Sequence, residues 1–133
     1  MFVITQDGRG VIWLGTREGL NEFDGYRFKV HRHEAADTAS LPSDDVRSAV
    51  FDPFRNCLWV GTMDGLGRYD FATGRWRRHG TQEGPASDLS FQAIWYILVD
   101  SLQRVWVATA SGHHYLEPGS NQFSAVNLPE TVA

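Results

Sequence analysis

One short context recurs three times around a tryptophan: Ile12-Trp13-Leu14-Gly15-Thr16, Leu58-Trp59-Val60-Gly61-Thr62 and Val105-Trp106-Val107-Ala108-Thr109. Trp59 follows Trp13 by 46 residues, and Trp106 follows Trp59 by 47. The agreement extends to either side. An acid stands six or seven residues before each tryptophan (Asp7, Asp52, Asp100), and a glycine stands three after each threonine (Gly19, Gly65, Gly112). A second acid follows that glycine by five (Asp24, Asp70, Glu117), and an aromatic then opens the last segment of each copy (Phe28, Trp76, Phe123). Even the joint between copies repeats, Leu41 to Val46 and Leu89 to Ile94. A fixed period of this length marks a repeat architecture, and it falls between the ~40–45 of WD40 and the ~50 of kelch blades. Helical repeats of similar period are excluded by content, because each unit holds four short β-type runs and turn glycines but no amphipathic helical window.

The four runs are strands a to d. Strand a is residues 46–51 and 94–99, b is the tryptophan run, c is 20–23 and 66–69, and d is 28–31, 76–79 and 123–126. A sheet with one wet face alternates apolar and polar residues. Ile-Trp-Leu, Leu-Trp-Val and Val-Trp-Val do not alternate, so both faces of strand b need cover. A propeller blade sandwiched between two neighbours provides it. The expected fold is therefore all-β: three four-stranded antiparallel β-propeller blades at about residues 1–45, 46–92 and 93–133. Trp13, Trp59 and Trp106 are the structural centre of each blade. Gly15 and Gly61 become Ala108 in the third copy, so that position calls for smallness at a close blade contact rather than for a positive φ. Glu18-Gly19, Asp64-Gly65 and Ser111-Gly112 read as hairpin turns between strands b and c. Asp7, Asp52 and Asp100 open the a–b turn, where an aspartate bonds the backbone two residues on.

The bulk figures agree. A 42% hydrophobic and 21% charged chain is globular rather than disordered, and 13% aromatics with five tryptophans imply layered packing. A net charge of −4 offers no basic footprint for nucleic acid. The local cluster Arg75-Trp76-Arg77-Arg78-His79 reads as a solvated strand face. Cys57 is the only cysteine, so no internal disulfide forms, and its place before an apolar strand marks a small packed residue, not a nucleophile. No run approaches the ~18–20 apolar residues of a membrane span, and the first residues lack the features of a signal peptide. No membrane contact is expected of this segment.

The repeat resembles the two-component regulator propeller repeat, whose pattern runs roughly V-x-x-I-x-x-D-x-x-G-x-L-W-x-G-T-x-x-G-L-x-x-F-D-x-x-T-G-x-F-x-x-Y. The second copy carries it through Val46, Asp52, Trp59, Gly61, Thr62, Gly65, Leu66, Tyr69, Asp70, Thr73, Gly74, Trp76 and His79. The third copy departs at Ala108, at Gly112-His113 and at Leu116-Glu117. The resemblance implies a non-catalytic, ligand-sensing propeller of a periplasmic sensor, attached in its parent to a histidine kinase or diguanylate cyclase, with glycans or other small extracellular molecules as ligands. No cofactor is implied. A closed propeller has ~4–8 blades. Three blades leave two open apolar faces, so the chain is expected to be a fragment of a longer sensor or to complete a ring by self-association, two copies giving six blades.

Candidate chemistry is sparse. His31 and His33 have a ligand-compatible spacing, but His31 and His79 share one repeat offset and read as outer-strand surface residues. His113 and His114 point to opposite strand faces, which makes one metal site difficult. Asp44 and Asp45 invite comparison with paired glycosidase acids. The acids Asp7, Asp52 and Asp100, present in every blade, read as architecture, as does the near match of residues 5–13 to a sialidase Asp-box. There is no nucleophile–base pair, and Gly8-Arg9-Gly10 reads as a turn, not a phosphate loop. Binding then falls to the b–c and d–a loops at one end of the blades: Arg17, Glu18, Met63, Asp64, Asp45, Arg47, Gln92 and Trp95, with Asp44, Ser111 and Phe91 nearby. Two rival readings stand beside the sensor: a fragment of a propeller enzyme (glycoside hydrolase or lyase), and a purely structural self-assembling propeller.

Overall fold

The computed structural model describes residues 2–37, 39–79, 93–110 and 112–126. Among the described residues twelve strands form three four-stranded sheets. The first holds β1 (Val3–Gln6), β2 (Ile12–Thr16), β3 (Gly19–Phe23) and β4 (Phe28–His31). The second holds β5 (Val46–Asp52), β6 (Cys57–Thr62), β7 (Gly65–Asp70) and β8 (Arg75–His79). The third holds β9 (Ile94–Val99), β10 (Val105–Thr109), β11 (Gly112–Leu116) and β12 (Ser124–Ala125). Each is an antiparallel meander in chain order. The first strands β1, β5 and β9 pack on one another from sheet to sheet, so they form the inner edge and β4, β8 and β12 the outer. This is the blade arrangement expected from the repeat.

Two apolar layers hold the blades together. Trp13 and Leu20 of the first blade pack on Leu58, Val60, Tyr69 and Trp76 of the second. Trp59 and Leu66 of the second pack on Val105, Val107, Leu116 and Phe123 of the third. Trp13 and Trp59 are fully buried, and burial of a side chain that size dominates the energetics of each interface. Only β6, in the middle blade, is buried along its whole length, whereas β2 and β10 alternate. Cover on both faces thus holds for the central blade, and each outer blade shows one side.

Smallness at the glycine position has a visible cause. A Cβ on Gly15 would stand 2.7 Å from Cγ1 of Val46, and one on Gly61 would stand 2.8 Å from Cγ2 of Ile94, each on the next blade's inner strand. Gly19, Gly65 and Gly112 do need positive φ, at 121°, 127° and 142°. There the hairpin turns left-handed, and Thr16, Thr62 and Thr109 tie it by donating Oγ1–H to the glycine carbonyl.

The repeated aspartates do more than cap a turn. Asp7, Asp52 and Asp100 each accept the indole N–H of their own blade's tryptophan, at 2.8, 2.9 and 2.8 Å. Each also accepts the backbone N–H two residues on, from Arg9, Phe54 and Leu102. Each is paired as well with an arginine from the same turn: Arg9, Arg55 or Arg104. Burial pushes the Asp7 carboxyl up, but the bonds from Arg9, Trp13 and Val11 outweigh it and hold it below the usual range. The Trp106 indole, with help from Arg104 and Leu102, holds Asp100 down at about 2.

Two readings of the outer strands need correction. His31 and His79 are not surface residues: His31 is buried and His79 half-buried, because strand d turns one side chain into the inter-blade aromatic layer. His31 Nδ1 accepts the Trp76 indole N–H across the first interface at 3.0 Å, while its Nε2 meets Glu22 Oε1 at 3.0 Å. His79 lies against Trp59 and Phe123. The basic cluster is solvated only at Arg75 and Arg77. Arg78 instead reaches over the joint between blades one and two, donating to Ser40 O, Asp37 O, Ser40 Oγ and Leu41 O at 2.8–3.2 Å.

Candidate functional site at the inner mouth of the blades

Two of the inner strands, β5 and β9, carry an irregularity at one shared offset. In the second blade Val46 pairs with Thr62 and Ser48 with Gly61, so Arg47 is left over. In the third, Ile94 pairs with Thr109 and Tyr96 with Ala108, so Trp95 is left over. Val3 pairs with Gly15 in the first blade, which puts Phe2 at the same offset, its amide donating to Gly15 O. A β-bulge re-aims the extra side chain and recurs beside functional sites. Here the two bulges, with the residue that precedes β1, bring three blades to one place. The Arg47 guanidinium lies 4.2 Å from the Phe2 ring centre and 5.9 Å from that of Trp95. Phe2, Arg47, Trp95 and Tyr96 line an open recess of about 350 Å³.

The charge at this mouth is balanced. Arg47 forks onto Asp45, Nε to Oδ1 at 2.8 Å and Nη2 to Oδ2 at 3.2 Å. The Asp45 backbone is fixed in turn, since its carbonyl accepts the Met63 amide at 3.0 Å. Arg17 also lies over the Phe2 ring, 6.0 Å from its centre. Such a fork fixes geometry, and the remaining N–H groups and carboxylate lone pairs of a half-buried pair can bond a polar ligand. Beside it, Trp95 and Tyr96 offer aromatic surface, 41% and 76% exposed. A few oriented polar groups among aromatic walls is the ordinary make-up of a small-molecule site.

Of the residues expected to bind, the structure unites Arg17, Asp45, Arg47 and Trp95, with Met63 as backbone support. Glu18 lines a separate recess with Arg17, Asn21 and Arg32. Asp64 is exposed at the tip of the β6–β7 hairpin, its amide donating to Thr62 Oγ1. Asp44 is occupied in the joint, accepting the His33 amide at 2.6 Å. Gln92, Phe91 and Ser111 lie outside the described residues. Sequence reasoning missed Phe2 and Tyr96. Superposing the three inner strands on their Gly/Ala partners would have found Phe2, since it shares its offset with Arg47 and Trp95.

Among the described residues no three His, Cys, Asp or Glu groups gather where they could share an ion, and no helix is long and apolar enough to cross a membrane. Cys57 is buried, and that burial pushes its thiol up to about 12.

An array of four-stranded antiparallel meanders packed face to face by repeated tryptophans is a run of β-propeller blades. No family model matches the chain. Its architecture is similar to that of the extracellular domain of the putative hybrid two-component system BT3049 from B. thetaiotaomicron: TM-score 0.82 and 27% identity, over 93% of this chain and 18% of that one. The extracellular domain of BT4673 from the same organism has the same fold at TM-score 0.55 and 20% identity, over 99% of this chain and 22% of that one. A 38-residue stretch, 29% of the chain, is 50% identical to Histidine kinase P4 of Formosa agariphila and covers 3% of that protein. The chain therefore spans about a fifth or less of the proteins it resembles. The link to two-component regulators expected from the repeat is met in both sequence and structure.

Proposed function

We propose that these blades are a non-catalytic, ligand-binding part of an extracytoplasmic sensor propeller, and that the inner mouth takes a neutral sugar unit of a glycan. The observation that carries the reading is that Phe2 and the bulged Arg47 and Trp95, at one shared offset, line one recess. A sugar ring presents C–H groups to an aromatic face and paired hydroxyls at its edge. Trp95 or Tyr96 suits the first and the Arg47–Asp45 fork the second. Placement outside the cytoplasm rests on the likeness to extracellular domains. An enzyme finds less support, because the carboxylates of the blades are committed to indoles and arginines and Asp44 to a backbone amide.

The test is calorimetric titration with a panel of neutral and acidic oligosaccharides, alongside Trp95→Ala and Arg47→Met. A neutral glycan should bind, and each substitution should weaken it at least about tenfold, equivalent to ~1.4 kcal/mol. Binding that survives both substitutions, or a panel with no binder, would sink the assignment.

A further inference from the structure

The second blade gathers arginine where its neighbours do not. Arg68 and Arg77 stand directly opposite each other on β7 and β8, and Asp70 and Arg75 are the next pair on the same face. With Arg55 and Thr73 they line an open recess of about 570 Å³ at the a–b and c–d turns, the end of the blade opposite the mouth. Asp70 is the one carboxylate in that lining, and it is divided. Its Oδ1 accepts from Arg68 Nε at 2.7 Å and its Oδ2 from Arg77 Nε at 3.0 Å. Arg55 is spent on Asp52 and on the Gln103 carbonyl. The Nη groups of Arg68 and Arg77, and the whole guanidinium of Arg75, are left without a partner among the described residues. The first blade balances the same offsets with Glu22 and Lys29, and Glu22 there bonds both Arg9, the counterpart of Arg55, and His31. The third blade has Tyr115 and Ser124. Like charges directly opposite in a ladder are destabilising. A feature that costs stability and occurs in one blade of three is not a demand of the frame.

We propose that this recess binds a tetrahedral oxyanion, a phosphate or sulfate group, with Arg68, Arg75 and Arg77 as its donors. Guanidinium forks match the edges of such a group, and the charge-assisted bonds they make are short and strong. The anion supplies the negative charge that Glu22 supplies in the first blade. The donors are also held in advance. Arg68, its side chain 14% exposed, is fixed by Asp70 and lies 5.3 Å from the Trp59 ring centre. The Asp70 backbone is fixed in turn, its carbonyl accepting the Thr73 and Gly74 amides of the c–d turn. His79, two residues beyond Arg77, registers the surplus charge: burial is the larger cause of its fall to about 4, and Arg68 and Arg77 push the same way.

Calorimetric titration in chloride at fixed ionic strength, with inorganic phosphate, inorganic sulfate, glucose 6-phosphate and glucose 6-sulfate in turn, tests the site. A single oxyanion should bind per chain. Arg75→Gln and Arg77→Gln should each weaken it about tenfold, the loss expected for one charge-assisted bond. Arg75 is exposed and unpaired, so its exchange should leave the urea midpoint of the anion-free protein in place. Arg27→Gln, at the offset of Arg75 in the first blade, should leave the affinity unchanged. A sugar ester that binds more tightly than the inorganic ion identifies the oxyanion as part of a larger ligand, and equal affinities identify the inorganic ion itself. No saturable binding of any of these anions, or full binding by both the Arg75 and Arg77 variants, would overturn the site. So would an equal loss in Arg27→Gln, which would show that overall charge alone is felt.

Discussion

Replacing Asp52 with alanine should cost far more than replacing Asp100, although the two hold their tryptophans in the same way. Asp52 is fully buried and accepts from Trp59, Arg55 and two backbone amides of its turn. Its loss strands an indole N–H in a dry interface, which costs about 1–3 kcal/mol. It also leaves Arg55, whose side chain is 12% exposed, without its carboxylate. Breaking a buried pair from one side costs about 3–5 kcal/mol, and because the two losses share one group they do not add in full. The expected destabilisation is about 4 kcal/mol, a large part of the stability of a domain this size. Asp100 keeps the same partners on a half-covered blade where water can replace it, so its loss should be much smaller. Urea unfolding followed by tryptophan fluorescence measures both. Equal losses at the two positions would show that the clasp acts through its turn alone and that blade cover contributes nothing.

Gly61→Val should destabilise by about 1–3 kcal/mol, since its Cβ drives into Ser48 and Ile94, whereas Ala108→Gly should change the urea midpoint little. Arg78→Met should loosen the joint at residues 34–41, cost about 1–3 kcal/mol and expose that joint to protease first. Cys57 should stay inert to a thiol reagent at neutral pH until urea unfolds the chain, because its thiol is buried and held up at about 12. Burial, reinforced by Arg68 and Arg77, lowers His79 from 6.5 to about 4. The folded state therefore prefers the neutral ring, and its contribution is complete above the unfolded value and lost as pH falls from 6.5 towards 4. After allowance for partial exposure the loss is about 2 kcal/mol, and His79→Phe should remove that part of the slope from midpoint-against-pH measurements.

The blades were legible because a repeat samples one physical problem three times. Positions that stay tryptophan, threonine or turn glycine are held by backbone and packing demands that recur, and each expected strand forms within a residue or two of its sequence bounds. The Gly-to-Ala change at residue 108 even disclosed why the position is small, because blades meet there. Arg78 and His31 were not legible. Their partners are backbone carbonyls of the joint and an indole on the next blade, and no residue spacing within one copy encodes contacts that cross between copies. The mouth was half legible: loop ends pointed to Arg47 and Trp95, but a bulge is a matter of register between two strands and leaves no signature in either strand alone.

That division of labour bears on the proposed binding site. The tryptophan of strand b, the aspartate that holds its indole, and the threonine and glycine of the b–c turn recur in all three copies. The residues that meet at the mouth share one offset on strand a, yet they are a phenylalanine, an arginine and a tryptophan. Arg47 and Trp95 are bulged and Phe2 lies just before β1, so none has a ladder partner to satisfy and their identities are free of the constraint that fixes their neighbours. The site can therefore vary one residue per blade while the frame stays constant. Exchanging Arg47 for Gln should then alter which ligand binds without moving the urea midpoint, whereas the same exchange at Arg55, in the turn beyond the other end of β5, should move the midpoint and leave ligand preference alone.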